Sequence, residues 1–291
     1  MRGIEIRTAG PRVVALETTV LTHGLPRERG RTLINAIRGA CKAGDAIPAF
    51  TGLIGGTPII GLDDDELDAL LANPDVQKIN TANLGIAMHR GQDGATTVST
   101  TLELAAQAGI QVAATGGIGG VHRGYATALD ISSDLAALAR YPVAIVSSGA
   151  KSILDVEATR EVLETLGVPV VGYRTQSFPA FFQTSSEREC DARFDDERDL
   201  ATFVARELRR TSRGLMIANP IPAEHEIARN DWDKALKHLE RFQQRGRAAT
   251  PAMLATIQRA FGERLIEANE ALLLTNIALA SRLAGMIPAV V

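Results

Sequence analysis

The residue that most suggests chemistry in this sequence is a lysine after an apolar run. Lys151 follows the run at 143–147 and stands where a helical pattern begins. The partial positive charge at a helix N-terminus disfavours a second cation, and burial lowers the pKa of an amine further. Lys151 is therefore a candidate nucleophile, because an unprotonated amine attacks a carbonyl or acetal carbon. The alternative is a lysine at a helix start whose ammonium group stays in water.

An acidic residue inside an apolar segment is the second candidate. Glu17 stands between Val-Val-Ala-Leu and Thr-Thr-Val-Leu in the predicted strand 13–22. A buried carboxylate without a partner is costly, so this group must be paired, protonated or functional, and general acid or base catalysis is one such role. The alternative is an acid on an edge strand that faces water. His23, in the turn that follows, is interpreted as a turn histidine rather than a base.

Two segments rich in hydroxyl groups precede predicted helices. The first, 94–100, offers free backbone amides to a phosphate monoester; capping of the helix by Thr97 or Ser99 is the alternative. The second, 130–134, places Asp130 and Asp134 four residues apart. One of these carboxylates would cap the helix, and the other could face a divalent cation, although the spacing matches no dedicated metal loop.

Two glycine-containing segments approach nucleotide-binding motifs but fail in detail. In 114–124, Ala-Thr-Gly-Gly-Ile-Gly-Gly-Val-His-Arg-Gly, His122 stands where a dinucleotide fingerprint beginning at Gly117 requires glycine. In 149–152, Gly-Ala-Lys-Ser, Ala150 replaces the glycine that precedes the lysine of a phosphate loop. We therefore exclude dinucleotide and nucleoside triphosphate binding by these motifs.

The elements that must position these residues alternate along the chain, which predicts a three-layer α/β/α sandwich around a mostly parallel sheet. Strands are predicted at 13–22, 47–54, 76–80, 110–115, 143–147, 168–172 and 215–218. Helices are predicted at 27–43, 64–72, 84–90, 98–108, 134–140, 153–166, 197–210, 231–244, 251–259 and 265–284. We expect a single domain over 1–291, with a helical C-terminal cover after 219–222 that closes a site at the strand ends.

The composition excludes several classes of function. The chain has 291 residues, 45% of them hydrophobic, and a formal charge of -3, so it can bury a core but offers no cationic field for nucleic acid. The most apolar stretch, 271–291, contains Asn276, Arg282 and Pro288, which argues against a membrane span. Two cysteines make no disulfide framework, and the N-terminus lacks the apolar run of a secretory signal. We expect a cytoplasmic protein.

Taken together, these segments resemble the pseudouridine-5'-phosphate glycosidase family, which includes proteins named for indigoidine synthesis. The resemblance extends through most of the chain, and the segments 114–124 and 149–155 are its most specific parts. The other matching positions are 15–19, 23–26, Lys78, 94–98, 130–134, 219–222 and Asn269.

The resemblance implies a role for each candidate residue. Lys151 would form an imine with C1' of ribose 5-phosphate, and Glu17 would be the proton donor and acceptor. Asp130 would hold a manganese ion, largely through waters, and Asn269 would lie near an aromatic aglycone. The remaining substrate contacts would be Lys78, Thr97, Val98, Thr115, His122, Ser132, Ser133 and Asp134. The family fold is a three-layer α/β/α domain, usually a homotrimer.

A C–C glycosidic bond explains why a lysine is needed. Such a bond has no electronegative leaving atom, so protonation by a carboxyl group alone does not create a good leaving group. A lysine that opens the ribose ring and holds C1' as an iminium supplies the missing electron sink.

Two stretches depart from the family pattern. Its Lys-x-Ser-x-Arg-Asp appears here with Ala82 and Asn83 in place of the arginine and aspartate, and its Glu-His-Thr appears as Ala-Thr-Ala at 126–128. These changes leave the imine chemistry in place and question uracil as the aglycone. A biosynthetic C-glycosynthase with a larger aromatic acceptor is therefore one alternative. An inactive sugar-phosphate-binding protein is an alternative from another class.

Overall fold

The computed structural model describes residues 3–125, 129–239 and 261–287. Within them, eleven strands form one sheet. In chain order the strands are β1 Glu5–Ile6, β2 Val13–Leu16, β3 Ile47–Ile54, β4 Thr57–Ile60, β5 Gln77–Ile79, β6 Gly94–Thr96, β7 Val112–Ala114, β8 Ala144–Ser147, β9 Val170–Tyr173, β10 Ala192–Phe194 and β11 Leu215–Ala218.

The order of the strands across the sheet is β1-β4-β3-β2-β7-β8-β11-β9-β10, and β6 joins β5 to β3. Neighbouring strands run parallel except at β3, which is antiparallel to β4 and to β6. The predicted mostly parallel sheet is therefore confirmed. The carboxyl ends of β2, β7 and β8 meet at one edge, where such a sheet binds its ligand.

The helices lie between these strands and after the last of them. They are α1 Arg27–Ala43, α2 Asp64–Ala72, α3 Leu84–Arg90, α4 Val98–Gln107, α5 Ser133–Arg140, α6 Val156–Thr165, α7 Glu197–Thr211, α8 Arg229–Leu239 and α9 Glu263–Met286. A short π-helical turn, Val20–Gly24, and a 3-10 turn, Ala223–His225, complete the helical segments of the described residues.

The buried side chains divide into one core on each face of the sheet. Val14 and Leu16 of β2 belong to the core that includes apolar residues of α1, α7 and α9. Val13 and Ala15 belong to the core that includes α4, α5 and α6. This alternation is what a strand covered on both faces requires, and it confirms the three-layer α/β/α arrangement.

Two predicted elements have a described boundary three or more residues away from expectation, and both differences affect candidate residues. The strand predicted at 13–22 stops at Leu16, and the chain then enters the turn Val20–Gly24. The helix predicted at 153–166 begins at Val156, where the Asp155 side chain caps it by accepting from Ala158 N. Glu17 therefore follows a strand rather than lying inside one, and Lys151 precedes its helix by five residues.

The last third of the described chain is helical, as predicted. α8 and α9 follow the 3-10 turn, and α9 packs against α1 and against the ends of β2, β7 and β8. The helix predicted at 251–259 and the end of the one predicted at 231–244 lie outside the described residues. None of the helices in the described ranges has the length and apolar character needed to span a membrane.

Candidate active site

A pocket that is partly open to solvent lies at the carboxyl ends of β2, β5 and β7. Polar side chains form part of its lining, and we call four of these residues the reactive wall: Glu17, Lys78, Thr115 and Lys151. A second set, the aromatic wall, consists of Phe181, Phe182 and Trp232 together with Leu265 and Ile266. The pocket thus combines titratable groups with a large apolar surface.

Glu17 is the buried acid of the reactive wall. β2 lies between β3 and β7, and only 7% of Glu17 is exposed, so the edge-strand interpretation is wrong. Thr115 Oγ1 donates a short hydrogen bond to Glu17 Oε1. Burial raises the pKa of Glu17, while the positive charge of Lys151 and the Thr115 hydrogen bond lower it. A raised pKa favours the protonated form, which is the form that donates a proton in general acid catalysis.

Lys151 is half-buried in the turn between β8 and α6 and lines the same pocket. Its backbone N donates to the Ile118 carbonyl at 3.1 Å, which links Lys151 to the segment 114–124, called the glycine-rich segment from here on. Since α6 begins only at Val156, the effect of a helix N-terminus expected at this amine does not apply. The charge of Lys151 acts on three titratable side chains, those of Glu17, Lys78 and His122.

Lys78 brings a second amine to the reactive wall from the strand β5. Part of its side chain stays exposed, yet desolvation and the charge of Lys151 lower the pKa of its amine. Asn83, at the position of the family's aspartate, donates from Nδ2 to the Lys78 carbonyl at 3.0 Å and accepts from Asn80 N at 2.8 Å. The altered residue therefore shapes the backbone from which Lys78 projects.

The starts of α4 and α5 meet in a cluster of hydroxyl groups around Asp134. This buried carboxylate accepts from Ser99 N at 2.9 Å and from Gly119 N at 2.8 Å. Thr97 Oγ1 lies 2.9 Å from Ser99 Oγ, and Ser133 Oγ donates to Ser99 Oγ at 3.0 Å. The Asp134 carboxylate thus accepts the hydrogen bond of Ser99 N, one of the backbone amides at the start of α4 that were expected to bind a phosphate.

Two capping expectations need correction here. The side chain of Thr97 makes no capping hydrogen bond to α4. The N-cap of α5 is Ser132, whose Oγ accepts from Asp134 N at 3.2 Å, so neither Asp130 nor Asp134 caps this helix. Asp134 instead links α5 to α4, because its carboxylate accepts from Ser99 N in the first turn of α4.

The structure brings only some of the expected substrate residues into the pocket lining. Lys78, Thr115 and Asn269 line it with the two proposed catalytic residues, whereas the other expected contacts do not: Thr97, Val98, His122, Ser132, Ser133 and Asp134. The Val98 side chain is buried in the core beside α4. The charge of Asp134 nevertheless acts on both Glu17 and Lys78, so this cluster adjoins the reactive wall.

Asp130 lies beside His122 at the end of the glycine-rich segment. His122 N donates to the Asp130 carbonyl at 2.9 Å, and His122 Nδ1 lies 3.9 Å from Asp130 Oδ2. Burial lowers the pKa of His122, and Asp130 opposes that effect. Across the described ranges, no group of three or more His, Cys, Asp or Glu side chains could hold a metal ion. A metal at Asp130 would therefore depend on water for most of its ligands.

The aromatic wall was missed by the sequence analysis. The Phe181 and Phe182 rings meet edge to face at 4.5 Å, and Phe182 lies 5.3 Å from the only tryptophan, Trp232. A side chain at Gly117 would overlap the Phe181 ring, so this ring lies directly against the glycine-rich segment. An adjacent pair of phenylalanines in a chain with 4% aromatic residues was the signal available in the sequence.

Asn269 and His23 also line the pocket. Asn269 Nδ2 donates to the Gly24 carbonyl at 3.4 Å, which links α9 to the turn after Glu17. His23 Nδ1 lies 2.7 Å from Thr22 Oγ1, as expected of a turn histidine, but its ring also lines the pocket. Desolvation, Lys78 and Arg27 lower the pKa of His23.

A pocket at the carboxyl ends of a parallel sheet, with a buried acid and an amine on one wall, is the site of an α/β enzyme. The family model described as "Indigoidine synthase A like protein" matches residues 5–286. The chain belongs to this family.

Relatives and solved structures agree with that assignment. A pseudouridine-5'-phosphate glycosidase from Saccharopolyspora erythraea is 43% identical over 281 residues, which cover 95% of this chain and 93% of the relative. An indigoidine synthase A-like protein from Thermotoga maritima superposes with a TM-score of 0.91 at 36% identity, covering 97% of this chain and 96% of its own. The prealnumycin C-glycosynthase AlnA, solved with ribulose 5-phosphate, gives 0.90 at 31% identity, covering 99% and 97%.

Proposed function

We propose that this chain reversibly cleaves pseudouridine 5'-phosphate to uracil and ribose 5-phosphate through a lysine imine. The observation that supports this most is the presence of a buried Glu17, whose pKa is raised by burial, and of Lys151 in one pocket. The curated relatives of this name, at up to 43% identity over most of the chain, support the choice of substrate.

The proposed reaction begins with attack of Lys151 Nζ at C1' of the sugar. The C1'–O4' bond breaks, its electrons pass to O4', and Glu17 supplies the proton that O4' takes up. The ammonium nitrogen formed by this attack passes one proton to the Glu17 carboxylate. Its freed lone pair then stabilises C1' as an iminium while the electrons of the C1'–C5 bond return to the pyrimidine ring, whose C5 takes that proton from Glu17; the proton that hydrolysis of the iminium releases restores the acid form of Glu17. Water hydrolyses the iminium, which releases ribose 5-phosphate and restores the amine.

The two walls suit the two parts of this substrate. Lys78 offers a positive charge to the phosphate, and the hydroxyl cluster around Asp134 adjoins it. The aromatic wall offers ring faces against which a flat aglycone stacks. We assign the phosphate to Lys78 and the aglycone to the surface between Phe181 and Asn269.

We also propose that a manganese ion binds at Asp130, chiefly through water. A partly exposed carboxylate is a hard oxygen ligand of the kind that Mn²⁺ accepts, and water would complete its coordination. When bound, the ion would add positive charge near the sugar phosphate. The trimer implied by the family and the cytoplasmic location expected from the cysteine usage stay predictions, which sedimentation and cell fractionation would check.

A C-glycosynthase that attaches ribose 5-phosphate to a larger aromatic acceptor is the second candidate. The apolar extent of the aromatic wall and the fold shared with AlnA favour it. The relatives named as glycosidases are more similar to this chain, at 43% against 31% identity, and we therefore place this function second.

Release of uracil from pseudouridine 5'-phosphate, with manganese present, tests the first function. Borohydride reduction in the presence of ribose 5-phosphate, followed by mass spectrometry, tests the imine. We expect one reduced adduct, on Lys151, which Lys151→Ala abolishes and the exposed control Lys42→Ala keeps. An adduct without uracil release would favour the glycosynthase, and no adduct at all would favour an inactive sugar-phosphate-binding protein.

A further inference from the structure

An asparagine is completely buried in the middle of α9. Asn276 is 0% exposed and lies in the apolar run Leu-Leu-Leu-Thr-Asn-Ile-Ala-Leu-Ala. Burying an amide is unfavourable unless each of its polar atoms finds a partner. The partners of Asn276 therefore show what this residue does.

The Asn276 amide reaches the ends of three strands. Its Nδ2 donates to the Thr115 carbonyl at 2.8 Å, to the Gly116 carbonyl at 3.3 Å and to Ser148 Oγ at 3.0 Å. Its Oδ1 accepts from Asn219 Nδ2 at 2.9 Å. Thr115, Ser148 and Asn219 follow β7, β8 and β11, so a single side chain joins α9 to three neighbouring strands.

One of these contacts leads directly to the proposed acid. The Thr115 carbonyl accepts from Asn276, and the Thr115 hydroxyl donates to Glu17. Thr115 itself is 1% exposed, so its backbone has little room to move. The orientation of the Glu17 carboxyl group thus depends on where Asn276 holds the end of β7.

A second contact leads towards the proposed nucleophile. Ser148 N donates to the Gly116 carbonyl at 2.9 Å, and the next residue, Gly149, accepts from Ile118 N at 3.0 Å. Ile118 in turn accepts from Lys151 N at 3.1 Å. Three backbone hydrogen bonds therefore join residues 148–151 to the glycine-rich segment, and Asn276 donates to both segments.

We propose that Asn276 is a positioning residue for the reaction: its buried amide holds the end of β7 and the segment after β8 at the separation that lets Glu17 and Lys151 act on one C1' atom. This role rests on the proposed function. Asn276 touches no substrate atom and acts through Thr115 and Ser148.

The test compares Asn276→Ala and Asn276→Asp with Ser281→Ala. Ser281 lies on the same helix, is also 0% exposed, and donates from Oγ to the Ile277 carbonyl within α9. Ser281→Ala therefore removes an equally buried polar group, but one without hydrogen bonds to the strands. We expect both Asn276 variants to lower kcat on the order of 10²-fold, the scale of a misplaced reacting group, with a small change in KM. Aspartate should not rescue, because a carboxylate cannot donate to the two carbonyls.

A double-mutant cycle with Thr115→Val separates positioning from general packing. If Asn276 acts through Thr115 and Glu17, Asn276→Ala should cost much less in the Thr115→Val background than in the wild type. Asn276→Ala should also move the pH profile, because the pKa of Glu17 depends on its burial, on the charge of Lys151 and on the Thr115 hydroxyl. Additive effects with an unchanged profile, or a kcat like that of Ser281→Ala, would overturn the proposal.

Hydrogen exchange keeps this proposal distinct from the proposed function. The amides of Ile118 and Ser148 should lose protection in Asn276→Ala but not in Ser281→Ala, whatever substrate the wild type uses. Equal protection in both variants shows that Asn276 does not hold these segments. If the wild type forms no adduct but only Asn276→Ala loses protection, the imine chemistry is refuted while the structural role of Asn276 stands.

Discussion

The hydroxyl of Thr115 donates its hydrogen bond to the carboxyl group of Glu17 across two neighbouring strands. β2 and β7 pair in parallel with Leu16 beside Ala114, so the next residue of each strand stands next to the other. The proposed proton donor is therefore oriented by the register of the sheet rather than by a loop. Groups held on regular elements keep their geometry better than groups on loops.

Replacing Thr115 by valine should move the pH profile upwards. The hydrogen bond lowers the pKa of Glu17, so its loss raises that pKa and keeps the proton-donating form to higher pH. We expect the alkaline limb of kcat/KM for cleavage to shift to higher pH and the rate to fall roughly 10- to 100-fold. Thr115→Ser, which keeps the hydroxyl, is the control, and a profile in Thr115→Val identical to the control would contradict the assignment.

Glu17→Gln should make the fold more stable while removing activity. A carboxyl group whose pKa is raised in the folded state binds its proton more tightly there, so the fold loses stability as the pH rises above the unfolded value of about 4.3. The variant should therefore resist urea better than the wild type at neutral pH, with no difference at about pH 4 and below. A wild type that is more stable at neutral pH would mean that attraction to Lys151 outweighs burial.

The aromatic wall should control binding of the aglycone. Phe182→Leu removes a ring face beside Trp232, and stacking of a base on an aromatic side chain contributes about 1–3 kcal/mol. We expect uracil to bind roughly 5- to 100-fold more weakly, measured by quenching of the single tryptophan, with Trp232→Phe as the blank. Phe194→Leu changes an aromatic pair outside the pocket lining and should bind normally. Equal affinities in the two leucine variants would place the aglycone elsewhere.

Gly149 should tolerate no side chain. Its φ is 85°, and a Cβ there would overlap the Pro179 carbonyl oxygen. Gly149→Ala should destabilise the protein by more than about 1 kcal/mol and slow trapping of Lys151, two residues further on. Gly39→Ala, within α1 and with open space around it, should instead stabilise by about 0.5–1 kcal/mol. Thermal melting and the adduct assay together check both variants.

Where local pattern decides structure, the sequence was a sufficient guide. The strand 47–54 and the helices 27–43, 64–72 and 84–90 agree with prediction to the residue. Each combines a clear period with an end signal, such as the glycine pair after Ile54 or the capping box of Asp63 and Glu66. The strand predicted at 13–22 failed because its apolar run continues through the turn that follows Glu17.

Contacts between distant segments could not be obtained in this way. Ser99 N looked free for a cap or a phosphate, but the carboxylate that takes it comes from Asp134, 35 residues later. The aromatic wall joins Phe182 to Trp232 and Leu265, which no local spacing relates. Lys151 and Glu17 were identified from their unusual settings, yet only the fold places them in one pocket.

The reactive wall and the aromatic wall come from different stretches of the chain. Every member of the former lies at or before residue 151, and every member of the latter at or after residue 181. Substitutions in the aromatic wall can therefore change the apolar lining of the pocket while the reactive wall stays untouched. Such a division gives evolution a way to vary what a single scaffold binds, by mutating positions within 181–266 alone.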